Sequence, residues 1–189
     1  MNQLTKIIVS LRYPESAFGK TLQRIVPIIL LVTLLILGFS AFATYRIVAP
    51  TRMPETIDPS SFLLRNFQSL SFEGSGKQSF EGWFIPSVRR APVVFLCHGY
   101  KSNRSELLTL ASTFQENGYN LFLFDFRAHG TSPASICSLG MRETEDLLGA
   151  IQMVAERPDV DPNRVGRWGF SVAPSVSLAA AARSSRVKT

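Results

Sequence analysis

Cysteine and histidine are scarce in this 189-residue sequence, with two of each. Cys97 and Cys137 stand far apart with few histidines nearby, so no zinc pattern is read, and no metal or organic cofactor is implied. Cys97 closes an apolar run and reads as a small buried hydrophobe. A Cys97–Cys137 disulfide is the lesser alternative, open only in an oxidising compartment. Charge is also sparse, at 18% of residues. Lys6, Lys20, Arg12, Arg24 and Arg46 against Glu15 give residues 1–49 a net of +4, while the remainder carries +2. No basic face with interleaved aromatics follows, which argues against nucleic-acid binding. Internal repeats and low-complexity tracts are lacking too, and a hydrophobic share of 46% is enough to fold most of the chain as one domain.

What the sequence does contain is one long uncharged run, Ile25 to Tyr45. As a helix it reaches about 32 Å, close to the hydrocarbon thickness of a bilayer. Arg24 and Arg46 bracket it at head-group level, and Pro27 sits near its start, where a helix tolerates proline. Ala41-Phe42-Ala43 resembles a signal-peptidase site, but the 24 residues before the run are long for a signal's charged region, so an uncleaved single-pass anchor held by membrane lipid is expected. The excess of basic residues ahead of the span orients the globular part to the non-cytoplasmic side. The domains read as a basic segment 1–24, a transmembrane helix 25–45, a proline-bearing linker 46–67 and a folded region 68–189.

In that folded region, SLSFEG and SFEGWFIP read as a hairpin turned at Gly74-Ser75-Gly76. Val93–Cys97 and the run YNLFLFDF are continuous apolar strands of the kind buried on both faces. Between them lies a helix opened by a capping pair at Asn103 and Glu106, with Leu107, Leu110, Ala111 and Phe114 on one face and Gly118 at its end. A second helix from about Arg142 carries Leu147, Leu148, Ile151 and Val154 and stops before Pro158. RVGRWGF reads as a further strand, followed by an alanine-rich helix. Alternating strands and helices imply an α/β fold with a mostly parallel sheet and crossover helices, whose active groups gather at the strands' carboxyl ends.

Three segments fall at that edge: FLCHGY, LFDFRAHGTS and WGFSVA. In this order, and with Gly140, Glu143 and Asp146 as G-x-x-E-x-x-D, they resemble the α/β-hydrolase family, in particular its serine aminopeptidase and esterase-like members. The resemblance covers roughly residues 68–189. It implies a partial α/β-hydrolase fold after the membrane helix and a serine hydrolase acting on small ester or amide substrates. Ser171 matches the nucleophile, in G-x-S-x-A with Gly169 present and Ala173 in place of the usual second glycine. The N–H groups of Val172 and, by resemblance, Tyr100 match the oxyanion donors. His98 and Gly99 belong to the oxyanion loop, and Asp125, Arg127, His129 and Gly130 to a loop that braces it. Glu143 and Asp146 read as solvated or helix-start charges. In the family the catalytic acid and histidine follow the nucleophile, so they are expected beyond residue 189 and this chain is expected to be truncated and inactive alone. The alternative is a non-catalytic, membrane-tethered scaffold or pseudoenzyme fragment. The nearer alternative for Ser171 itself is a helix cap.

Overall fold

The computed structural model describes residues 17–53, 57–64, 66–87 and 90–183. The charges of Lys6, Arg12 and Glu15, Arg65 of the linker and nearly all of the terminal RSSRVKT lie outside the described residues. The chain forms two units, Met1–Tyr45 and Arg46–Thr189. The first is one helix, α1 (Ala17–Val48), whose last three residues belong to the second unit. Helix α1 extends past both ends of the uncharged run, and its apolar side chains are exposed. It is long and apolar enough to cross a bilayer.

The second unit holds five strands, β1 (Gln68–Glu73), β2 (Ser79–Ile85), β3 (Ala91–Cys97), β4 (Asn120–Phe124) and β5 (Val160–Gly169), with helices α2 (Leu108–Glu116), α3 (Met141–Ala155) and α4 (Ala173–Arg183). The sheet order is β1-β2-β4-β3-β5. The first two strands form the expected hairpin and are antiparallel to each other and to β4, while β3, β4 and β5 run parallel. A short 3-10 turn, Ser75–Lys77, closes the hairpin.

From β3 the chain steps to one side to make β4, then back across β3 to make β5. Right-handed crossovers made in opposite directions must place their helices on opposite faces. The packing agrees. Leu107, Leu108 and Ala111 cover one face with Trp83, Leu96, Leu121 and Leu123. Helices α3 and α4 cover the other with Leu147, Ile151, Val154, Val176 and Ala180, over Phe72, Phe95, Phe122 and Phe124. Those rings pack edge-to-face and tilted, with centroids 5.1–6.1 Å apart. Helices leaving on opposite faces part around the carboxyl end of β3, and such a parting is where doubly wound sheets open a crevice.

Several local expectations need correction. The described residues of 46–67 do not read as a free linker. Pro50, Pro59 and Leu64 are buried, Leu64 within the α2-side core, and Asp58 caps a 3-10 turn at Pro59–Phe62 by accepting from the N–H of Ser60. Asn103 does cap, but it caps a 3-10 turn ahead of α2, through Ser105; Glu106 instead accepts from the Ser102 hydroxyl. Glu143 is a helix-start charge, as one of the two expectations had it, but it and Asp146 are both buried rather than solvated. Glu143 accepts from the Ser138 and Gly140 N–H groups at 2.7 Å and from the Ser138 hydroxyl, which closes the N-terminus of α3. Burial works against that charge, but these bonds hold the carboxyl below its usual range. Asp146 takes a bidentate grip on Arg127, at 2.6 and 2.9 Å, and accepts from the Ser75 N–H. One ion pair therefore joins the hairpin turn, the loop after β4 and α3.

Removing one partner of a buried pair leaves the other charge uncompensated. Asp146→Ala is expected to lower stability by about 3–5 kcal/mol, read as a fall in the urea midpoint of the detergent-solubilised chain; a change within ±0.5 kcal/mol would show that the pair ties nothing together.

Candidate active site

Strand β5 ends at Gly169, and α4 begins four residues later. The chain makes this turn by placing Ser171 in the left-handed region, with φ of 63°. A non-glycine residue there is strained and persists only where its surroundings force it. What forces it is closeness. A Cβ on Gly169 would lie 2.5 Å from the Ala173 methyl and 3.0 Å from the Cys97 carbonyl oxygen. Glycine is therefore required where β5 meets β3 and α4, whereas alanine fits at 173 and is fully buried. Ser171 itself is exposed at the apex.

The strand register brings the loop after β3 to this turn. Cys97 pairs with Gly169 in the parallel β3–β5 ladder, so Tyr100 and Val172 each stand three residues beyond a matched pair on adjacent strands. The Phe170 ring lies on Gly99, where a Cβ would come within 2.7 Å of it. The loop after β3 and the turn at Ser171 are thus in direct contact.

The remaining motif residues form the support beneath. His98 is completely buried; its Nδ1 donates to the Gly99 carbonyl at 2.8 Å and its Nε2 accepts from the Phe126 N–H at 2.9 Å. Both ring nitrogens are spent joining the loops after β3 and β4, and burial holds the imidazole neutral, its pKa lowered to about 4. Asp125 accepts from the Arg104 N–H at 2.8 Å and from the N–H and hydroxyl of Thr131 at 2.9 and 3.1 Å. Gly130 (φ of 43°) passes so close to that carboxylate that no side chain fits. Arg127 makes the ion pair with Asp146, donates to the Ser75 carbonyl at 2.6 Å and lies over the Phe80 ring. His129 donates from Nδ1 to the Arg127 carbonyl, and its buried Nε2 meets no partner. Its ring packs edge-on against Tyr100, with centroids 5.6 Å apart, and burial lowers its pKa also.

Neither histidine hydrogen-bonds Ser171. Both cysteines are buried and free, and burial pushes their thiols up to about 12 (Cys97) and about 11 (Cys137), so neither is a thiolate nucleophile. Among the described residues no cluster of His, Cys, Asp or Glu could hold a metal ion. The sequence motifs did not single out Arg104, whose guanidinium stacks 4.0 Å from the centre of the Trp83 ring, or Arg52, which binds the loop after β4. Arginines held through stacking and carbonyl contacts have no fixed spacing to reveal them.

The arrangement defines a class: a mixed α/β sheet whose parallel strands present a strained, exposed serine at a strand–helix turn beside a glycine-bearing loop. No protein-family model matches the chain. The polyketide transferase ATR5 of Stachybotrys chlorohalonatus is 30% identical over 123 residues, which is 63% of this chain and 41% of that protein. An esterase of Pyrococcus furiosus superposes with a TM-score of 0.66 at 24% identity, over 73% of this chain and 55% of the esterase. The α/β-hydrolase GrgF of Penicillium sp. sh18 superposes with a TM-score of 0.58 at 27% identity, over 64% and 43%. The chain spans about two fifths of the length of the curated relatives it matches. With the sheet described above, these likenesses show a partial α/β-hydrolase fold.

Two measurements follow from this geometry. Gly169→Ala is expected to destabilise by about 1–3 kcal/mol through overpacking, and adding Ala173→Gly is expected to recover part of the loss, because the Cys97 carbonyl still crowds the site; thermal unfolding of the two variants decides it. The depressed His98 pKa also makes stability depend on pH. The neutral ring's contribution is fully present above the unfolded value of 6.5 and is lost as pH falls toward about 4. The loss is on the order of 3 kcal/mol, and His129 acts in the same direction. Urea midpoints between pH 7.5 and 4.5 should fall more steeply for wild type than for His98→Gln.

Proposed function

We propose that this chain carries the nucleophile of a membrane-tethered serine hydrolase acting on small ester or amide substrates. In this reading the Ser171 hydroxyl attacks the substrate carbonyl, and the N–H groups of Val172 and Tyr100 receive the developing oxyanion. The observation that carries the reading is the left-handed backbone of Ser171 at an exposed strand–helix turn. A serine serving only as a helix cap takes ordinary extended angles and gives no reason for such strain. The apolar helix α1 acts as the single-pass anchor, and its basic flank favours a non-cytoplasmic globular part. The register of β3 and β5 supports Tyr100 as the second donor, and the ring nitrogens of His98, both engaged, argue against that residue as a base.

A serine hydroxyl without an imidazole stays protonated near neutral pH, and loss of one member of a catalytic triad costs orders of magnitude in rate. Neither described histidine is aimed at Ser171, so the described arrangement alone is expected to turn over slowly. That same observation favours the second reading, a tethered scaffold without catalysis.

A fluorophosphonate probe separates the two. Wild-type chain in detergent micelles should be labelled slowly at Ser171, as located by peptide mass spectrometry, and Ser171→Ala should take no label. Absence of labelling in wild type, or equal labelling in Ser171→Ala, would reject the hydrolase reading in favour of the scaffold.

A further inference from the structure

The last two residues of α1 and those that follow it lie across the loops that carry the site. The Val48 carbonyl accepts from the Cys137 N–H at 2.7 Å, and the Ile47 carbonyl accepts from the Tyr100 hydroxyl at 2.8 Å. Pro50 is buried, and the Met53 carbonyl accepts from the Asn103 side-chain amide at 3.4 Å. Between them, Arg52 places one guanidinium against three carbonyls of the loop after β4: Nη1 donates to Ser132 at 2.5 Å and to Gly130 at 3.4 Å, and Nη2 donates to Ala134 at 2.7 Å. The Ala134 carbonyl also accepts from the Ala128 N–H. Arg52 therefore closes a loop whose His129 ring supports Tyr100. Tyr100 is held at two points, its ring by His129 and its hydroxyl by Ile47.

We propose that Arg52 is a positioning residue and that Ile47–Met53 is a strap that sets the Tyr100 N–H opposite Ser171. The inference rests on the hydrolase reading, because it assigns Arg52 a task in forming the oxyanion site. The physical case is one of multiplicity. A planar guanidinium can serve several carbonyls at once, and a lysine ammonium on a flexible stem cannot reproduce that geometry. An oxyanion donor acts only where it is held in place, and misplacement by about 1 Å can cost about 100-fold in rate. His98 and Arg104 fix the two ends of the loop after β3, but between them the Tyr100 side chain is only half-buried and Lys101, with φ of 59°, is exposed.

The test is hydrogen–deuterium exchange on the full chain in micelles, combined with the rate of fluorophosphonate labelling at Ser171, for wild type, Arg52→Ala, Arg52→Lys and Tyr100→Phe. In Arg52→Ala, exchange at Tyr100–Asn103 and Thr131–Cys137 should quicken at least tenfold, with β3 and α3 unchanged as the control for folding. Labelling should slow about tenfold. Arg52→Lys should recover only part of either effect. Tyr100→Phe should quicken exchange at 100–103 alone and slow labelling less. Unchanged exchange in Arg52→Ala overturns the strap, and quickened exchange with an unchanged labelling rate overturns the positioning role. A wild-type chain that takes no label removes the hydrolase reading and the positioning role with it. The exchange data tell that failure apart from failure of the strap.

Discussion

The close approach of β5 to β3 at their carboxyl ends is the constraint on which the rest of this unit depends. With the Cys97 carbonyl and the Ala173 methyl pressed around Gly169, the chain cannot drift into its next helix. It must bend sharply, and the bend falls on Ser171, in backbone angles that an L-residue avoids unless held. The strain resides in the turn, but the force that maintains it comes from the sheet register and from the burial of α4 through Ala173, Val176 and Ala180. An exposed hydroxyl at the top of a parallel sheet is the result of that packing, which is why small residues at 169 and 173 matter more than any group touching the hydroxyl.

Beneath the bend lies a second layer, made of buried polar groups that work as joints. His98 links the loop after β3 to the start of the loop after β4, Asp125 links Arg104 to Thr131, and the Arg127–Asp146 pair links that loop to the hairpin and to α3. Each group is nearly inaccessible to water, and those of the two acids meet donors on every side. Buried polar networks are tolerated when their members are satisfied and are costly when one is lost. Such a network gives loops, which lack a ladder of their own, the rigidity that a strand receives from its neighbours. Two polar groups of the loop after β4 are exceptions, His129 Nε2 and the Ser132 hydroxyl, both buried without a partner.

Most of the fold was legible because its signals are local and strong. Unbroken apolar runs marked β3 and β4, glycines marked the hairpin turn and the end of α2, and the 3.6-residue stripe marked α3. The order of the strands was not, since nothing in the β2 sequence says that β4, and not β3, lies beside it. Glu143 and Asp146 read as solvated or helix-start charges, and their burial was not legible because their partners are a serine hydroxyl, backbone N–H groups and an arginine distant in sequence. The segment 46–67 resembled a linker because prolines are its most visible residues. In the structure Pro50 and Pro59 are buried, and Leu64 adds to the core. The serine was identifiable from three short motifs in sequence order, but the contact between Gly99 and Phe170 that brings those motifs together required the register.

The placement of the two histidines bears on any chemistry at Ser171. On the β3 side, Gly99 meets the Phe170 ring, and the imidazoles of the neighbouring loops have nitrogens that face carbonyls, an N–H or nothing at all. A general base must come within hydrogen-bond reach of the hydroxyl whose proton it takes. His98 could not be recruited without breaking the bonds that join the loops after β3 and β4, so under the hydrolase reading proton transfer must fall to a group other than that imidazole.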